Sequence, residues 1–185
     1  SGGGTNNFGT LTLTNSTISG NSAQDSGGGI NNNFVSFPND IFGTLTLTNS
    51  IVANSITNGI EQGDIVDNGG IIVLEGSNLV EDDNFEQLII NDNDINNNGI
   101  LITEDPQLGP LKDNGGPTET QAPLQGSPVI NVGNNVFLNE SQLGIDFNGN
   151  GTLNDTLLTD QRGFDRVIGN TVDLGAVEIE IPNSE

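Results

Sequence analysis

Residues 10 to 14 read TLTLT, with leucine at every second position and threonine between, and the same five letters return at residues 44 to 48. A period of two is that of a β-strand with one apolar face. Aligned on the preceding glycine, Gly9-TLTLTNSTIS, Gly43-TLTLTNSIVA and Gly70-IIVLEGSNLV form three rows, the third keeping the apolar pattern and losing the identities. The alternation puts Leu11, Leu13, Leu45, Leu47, Ile72 and Leu74 on one side of the strands. Thr10, Thr12, Thr14, Thr44, Thr46 and Thr48 then face the other way. After an Asn-Ser corner a second short strand is predicted, with Ile18, Val52 and Leu79 as its matching apolar positions.

The rows recur at a nearly constant interval. SGGG stands at Ser1 and again 25 residues on at Ser26, and Gly43 to Gly70 is a step of 27. Gly9 to Gly43 is 34, and the surplus of nine is expected as an insertion within NNNFVSFPNDI. A period near 25 that tolerates insertions is the mark of a solenoid. One row cannot bury its leucines alone, whereas stacked rows pair in parallel at ~4.8 Å and join them into an internal column. The expected fold is therefore all-β, a parallel β-helix, in preference to a sandwich of antiparallel hairpins, which has no need of the same sequence at the same phase. Asn15 and Asn49 are expected to form a side-chain ladder at the corner, where Ser16, Ser50 and Ser77 suit a tight bend.

Composition narrows the chemistry. The chain is 32% hydrophobic and 4% aromatic, so its core is thin and aliphatic, and its 26 glycines and many asparagines mark frequent turns. It has no Cys, His, Met, Trp or Tyr, which removes disulfides, thiolate and imidazole ligands, and catalysis by a histidine base or cysteine nucleophile. Twenty-five acidic residues against Lys112, Arg162 and Arg166 give a formal charge of −22. That field repels nucleic acid and anionic membrane surfaces and favours hard divalent cations with oxygen ligands. No stretch approaches the ~20 apolar residues of a membrane span, so direct membrane insertion is not expected. The opening SGGGTNN reads as the interior of a longer exported protein.

The pattern changes near residue 104, which divides the chain into β-helix coils over 1–104 and a loop-rich C-terminal module over 105–185. The module holds prolines 106, 110, 117, 123 and 128 and all three basic residues. Its DPQLGPLKDNGGPTETQAPLQGSPVINVG, followed by TDQRGFDR and VDLGAVE, resembles the choice-of-anchor Q type of C-terminal module found in bacterial exported β-helix proteins. The upstream SGGGI and GTLTLTNSTISGNSA are similar to repeats of the polymorphic-outer-membrane-protein type. The resemblance covers nearly the whole chain and implies a right-handed parallel β-helix on a bacterial surface or in an extracellular matrix. It implies no reaction.

The sharpest candidate site is DFNGNGTLNDTL. Counting from Asp146, Asn148, Asn150, Gly151 and Asn154 take positions 3, 5, 6 and 9 of a calcium loop, and the Thr152 carbonyl takes position 7. Leu157 replaces the bidentate Glu at position 12, so the last Ca2+ ligand is sought in Asp155 or Asp160. The acidic runs around Asp82, Asp83, Asp92 and Asp94, and the pair Asp64 and Asp67, lack fixed glycine-punctuated spacing and read as solvated loops. Arg162 and Arg166 are expected to pin the C-terminal coil to the solenoid through ion pairs with Asp160 and Asp165.

With repetition and no concentrated reactive constellation, the expected role is a non-catalytic structural, adhesive or matrix component supported by calcium. The expected partners are other copies of the chain or a surface or matrix polysaccharide. The alternative from another class is a carbohydrate-binding or polysaccharide-degrading, pectate-lyase-like module. Ice binding through the threonine rows is a minor third reading, spoiled by Ile71, Val73 and Glu75.

Overall fold

The structure is a computed structural model that describes residues 3–36, 40–59, 63–81, 83–84, 88–90 and 100–180. The chain winds through successive coils. The first carries β1 (Thr5–Asn7), β2 (Thr10–Thr14), β3 (Thr17–Ser19) and β4 (Ser22–Ala23). The second carries β5 (Ile30–Val35), β6 (Ile41–Phe42), β7 (Thr44–Thr48), β8 (Ile51–Ala53) and β9 (Ile56–Thr57). The third has β10 (Ile65–Asn68), β11 (Ile71–Glu75) and β12 (Ser77–Val80), and the fourth has β13 (Asp83–Asn84), β14 (Leu88–Ile90) and β15 (Ile100–Ile102). Like strands stack in parallel: β1-β5-β10-β13 form one sheet, β2-β7-β11-β14 a second and β3-β8-β12-β15 a third, with β4 beside β9. This is a right-handed parallel β-helix.

The register of the second sheet is the one the glycine alignment predicts, with Leu11, Leu45 and Ile72 in line and Leu13, Leu47 and Leu74 beside them. Leu45, Leu47, Ile72 and Leu74 are fully buried and pack with Ile30, Val52, Ile65 and Val80 into the internal column. The insertion is a short hairpin in which β6 pairs antiparallel with the end of β5, closed by Phe34 stacked on Phe42 at 4.7 Å between ring centroids.

Three expectations change. Val80, not Leu79, lies beside Val52, because the third corner spends one residue more than the second. Leu79 instead lines up with Ile51, and a slip of one residue sends a side chain to the opposite face. That face is not solvent: Ile51, Ala53 and Leu79 pack with Val129, Ile130 and Leu174 of the C-terminal module. The third sheet is thus buried on both sides, as its unbroken apolar run IVA suggests in hindsight. The outward threonine row is also partly covered, with Thr48 fully buried and Thr10 and Thr12 exposed. Thr14, Thr44 and Thr46 are half-buried.

The third change concerns the asparagines. Asn15 and Asn49 do occupy the same left-handed corner (φ 47° in both), a conformation asparagine tolerates. They form no ladder with each other, because each side chain is turned onto the C-terminal module. The ladder runs elsewhere, along the first sheet. The Asn7 amide donates to Asn32 at 2.8 Å and the Asn32 amide to Asp67 at 2.9 Å, all three side chains being buried. Asp67 also accepts the Gly70 N–H and buried Asp64 accepts that of Ser55. Both acids are therefore hydrogen-bond acceptors within the fold, not solvated loop charges. A second, outer ladder joins Asn6, Asn31, Asn33 and Asn68.

Beyond β15 the module is mostly irregular, with a 3-10 turn at Asn135–Leu138 and one helical turn, α1 (Glu140–Leu143). It is sealed onto the third sheet by backbone. Gly175 N–H donates to the Asn49 carbonyl at 2.9 Å, and Ala176 N–H donates to Thr17 Oγ1 at 3.0 Å. A Cβ at Gly175 would lie 2.4 Å from Thr17 Oγ1 and 2.8 Å from Ile51 Cδ1, and its φ is +84°, so glycine alone permits this approach.

Candidate functional site

Two groups of polar side chains stand out in the module. The first is the loop that begins at Asp146. Its carboxylate accepts four successive backbone N–H groups, from Asn148, Gly149, Asn150 and Gly151, the shortest being 2.7 Å from Gly149. Glycines 149 and 151 make the turn possible with φ of +73° and +80°. The Gly151 N–H is the largest influence holding the Asp146 carboxyl below its ordinary 3.8. Residues 146, 148, 150 and 155 come together: Asp155 Oδ2 accepts the side-chain amides of Asn148 at 2.7 Å and Asn150 at 2.9 Å. Thr152 and Asn154 close the far side through the Thr152 hydroxyl, which bonds Asn150 Oδ1 and Asn154 Oδ1.

The donor set is entirely hard oxygen: two carboxylates, three amide oxygens and a backbone carbonyl at Thr152. That is the chemistry of a calcium loop and unsuited to soft metals. With two carboxylates it carries little charge, and among the described residues no three acidic side chains are grouped so as to hold a metal ion. Glu140 is no substitute for the ligand missing at position 12; it braces the loop instead. It is fully buried, Oε1 accepts the Phe147 N–H at 2.6 Å and Oε2 the Asp155 N–H at 2.9 Å, so one carboxylate ties both ends of the loop.

Asp160 is not brought to this loop. Its Oδ1 accepts N–H groups of Arg162 and Phe164, and its Oδ2 accepts the Arg162 guanidinium at 2.7 and 2.9 Å and the Glu178 N–H at 3.0 Å. With both oxygens engaged it has no free lone pair to offer a cation. Burial works to raise Asp160, yet the Arg162 guanidinium and the two backbone donors prevail and hold it below its ordinary value. Asp165 is exposed and takes no part, since the ion pair among the described residues is that of Arg162 with Asp160. Of the remaining acidic candidates, Asp82, Asp92 and Asp94 lie outside the described residues, as does the side chain of Asp83.

The second group surrounds Arg166, which is 1% exposed. It does bridge module and solenoid, but through neutral acceptors and no carboxylate. Nη2 donates to Asn15 Oδ1 at 3.2 Å, to the Asp173 carbonyl at 3.2 Å and to the Gly175 carbonyl. The nearby acids are aimed at backbone instead. Asp173 accepts N–H groups of Asn131 and Ile179, and Glu178 those of Ile168 and Asp173. Burial pushes Glu178 up to about 7 and Asp173 above its ordinary value, and it draws Arg166 down, against the attraction of Glu178, Asp160 and Asp173.

Glu140, Asp173 and Glu178 escape a reading of the sequence. None sits in a spaced cluster, and each earns its place by accepting main-chain N–H groups that only the folded coil presents. The signal available was indirect, in the carboxylates of VDLGAVE flanking a glycine within an apolar run. Compared with known proteins, the chain matches no protein-family model, no curated protein and no solved structure.

Proposed function

We propose that this chain is a non-catalytic structural segment of a bacterial exported protein, a stiff solenoid that displays its lateral faces for adhesion or matrix assembly and is braced by calcium. The resemblance to choice-of-anchor Q modules and polymorphic-outer-membrane-protein repeats supports the cell-surface setting. The observation that carries the reading is the use made of the charged side chains. Asp160, Asp173, Glu178, Glu140 and Arg162 are spent on hydrogen bonds within the module or between its turns. Such groups hold shape and are poorly placed to turn over a substrate.

Calcium would be held by the side-chain oxygens of Asp146, Asn148, Asn150, Asn154 and Asp155 and by the Thr152 carbonyl. To do so, Asn148 and Asn150 exchange the amide N–H groups they now offer Asp155 for their oxygens. The ion supplies no reaction. It neutralises the Asp146 and Asp155 charges and stiffens the loop that Glu140 anchors to α1.

Light scattering coupled to size exclusion, with calcium and then with chelator, tests the reading. Calcium-dependent growth from monomer to larger particles is the expected result. A monomer under both conditions, together with release of unsaturated or reducing sugar from an acidic polysaccharide, overturns it in favour of a polysaccharide-degrading module.

A further inference from the structure

When glycine follows asparagine, no side chain shields the glycine nitrogen from the asparagine side-chain carbonyl, and the two can close a five-membered ring. The loop at residues 146–155 holds two such pairs, Asn148–Gly149 and Asn150–Gly151, all four residues being exposed. Around Asn150 each atom that such a ring closure uses already has a partner. The attacking nitrogen is that of Gly151, whose N–H donates to Asp146 Oδ2 at 2.8 Å. The oxygen that gathers charge, Asn150 Oδ1, accepts the Thr152 N–H at 2.8 Å and lies within reach of the Thr152 hydroxyl. The nitrogen that departs donates to Asp155 Oδ2 at 2.9 Å. The backbone donor of Thr152 fixes which side-chain atom is the oxygen. Asn148 repeats the arrangement: the Gly149 N–H donates to Asp146 at 2.7 Å and the Asn148 amide to Asp155 at 2.7 Å, while its oxygen accepts the Asn150 N–H at 2.9 Å. By contrast, the amide of Asn68 in Asn68–Gly69 donates to Asn31 at 2.7 Å, and that of Asn114 in Asn114–Gly115 to the Thr120 carbonyl at 2.7 Å, both neutral oxygens.

We propose that Asn150 is a self-modification site, converted by its own loop through a succinimide to aspartate and isoaspartate, with Asn148 following more slowly. Gly151 N bonds to Asn150 Cγ as its proton passes to Asp146 Oδ2. The Thr152 donors hold the negative charge that develops on Asn150 Oδ1 in the tetrahedral intermediate. The bond from Cγ to the side-chain nitrogen then breaks. The proton taken by Asp146 reaches that nitrogen through water, so ammonia leaves from beside Asp155 and both carboxylates are restored. A water molecule opens the ring at either carbonyl, giving aspartate or isoaspartate. The modification stands independently of the cation reading of the loop. Only its consequence rests on that reading, because a new carboxylate beside Asp146 and Asp155 raises the charge that a hard cation meets.

The test follows the whole chain over time in chelator at neutral pH, once folded and once in denaturant. Peptide mass mapping locates each exchange of amide for carboxylate and each succinimide. Folding ordinarily slows this reaction by restraining the chain, and Asn68 and Asn114 are expected to convert more slowly folded than unfolded. Asn150 is expected to do the opposite, converting faster in the folded chain by about tenfold or more. Asp146→Asn removes the proton acceptor and is expected to slow folded Asn150 by a similar factor, where a merely loosened loop would speed it. Thr152→Val removes the hydroxyl and keeps the N–H, so it is expected to slow Asn150 by a smaller factor and to spare Asn148. Conversion of Asn150 no faster folded than unfolded, its acceleration in Asp146→Asn, or an unchanged rate in Thr152→Val each overturns the assignment.

Discussion

Asn49 and Asn134, 85 residues apart, exchange a closed pair of hydrogen bonds: the Asn49 amide donates to the Asn134 carbonyl at 2.9 Å, and the Asn134 N–H donates to Asn49 Oδ1 at 2.9 Å. Asn49 is fully buried and sits at φ +47°, so the residue that turns the second coil also fastens the C-terminal module. Its carbonyl takes the Gly175 N–H as well. Replacement by glycine keeps the left-handed backbone and removes only the amide, which should cost about 1–3 kcal/mol. Replacement by alanine adds the left-handed penalty, about 1 kcal/mol more. Chemical denaturation of the two variants separates the terms, and equal stabilities would show that the corner carries no backbone strain.

The brace at Glu140 makes a second prediction. Glu140→Ala leaves the half-buried N–H groups of Phe147 and Asp155 without their acceptor and should lower stability by about 1–3 kcal/mol. It should also weaken calcium binding at the loop without touching a ligand, because both loop ends are released. Asp146→Asn should do the reverse, weakening calcium strongly with a smaller loss of stability in chelator. Calorimetric calcium titration and thermal melting of both variants provide the check.

Position along the solenoid should set the cost of a core truncation. Leu13, Leu47 and Leu74 share one register line. Leu47 is fully buried between neighbours on both sides, whereas Leu13 is half-buried in the first coil. Leu47→Ala should therefore cost about 2–5 kcal/mol, and Leu13→Ala clearly less. Denaturation midpoints of the pair decide it.

The solenoid was legible because stacking writes itself into the sequence. Identical neighbours select identical residues, and Gly9, Gly43 and Gly70 therefore aligned to the observed register. Legibility failed where the module covers the coils. Leu79 and Val80 differ in face by one inserted corner residue, and only the short apolar run IVA in the neighbouring row hints that the outer face is apolar. The same cause explains Asn15 and Asn49, whose side chains answer to Arg166 and Asn134, residues 151 and 85 positions away. The turn at residues 146–155 was visible through local spacing, while Glu140, outside that spacing, was not.

Acid titration provides the last prediction. Glu178 is fully buried, and burial carries its carboxyl from an ordinary 4.5 to about 7, against the N–H groups of Asp173 and Ile168 and the charge of Arg166, while Asp173 adds to the rise. An acid with a raised folded-state pKa holds its proton more tightly folded than unfolded. Its contribution is then complete below about 4.5 and is lost as pH climbs to about 7. At about 1.4 kcal/mol per pKa unit the loss is on the order of 3 kcal/mol, and Asp173 acts in the same direction. Asp160 and Asp146 act oppositely, their lowered values giving stability that is present above 3.8 and lost on further acidification. In chelator, the melting temperature should therefore peak between pH 4 and 5 and fall toward pH 8, a direction reinforced by the self-repulsion of a chain of formal charge −22. Glu178→Gln, neutral throughout, should flatten the part of the fall that lies between 4.5 and about 7 while leaving the general charge effect in place. Parallel melting curves for the wild type and Glu178→Gln across that window would remove Glu178 as the cause.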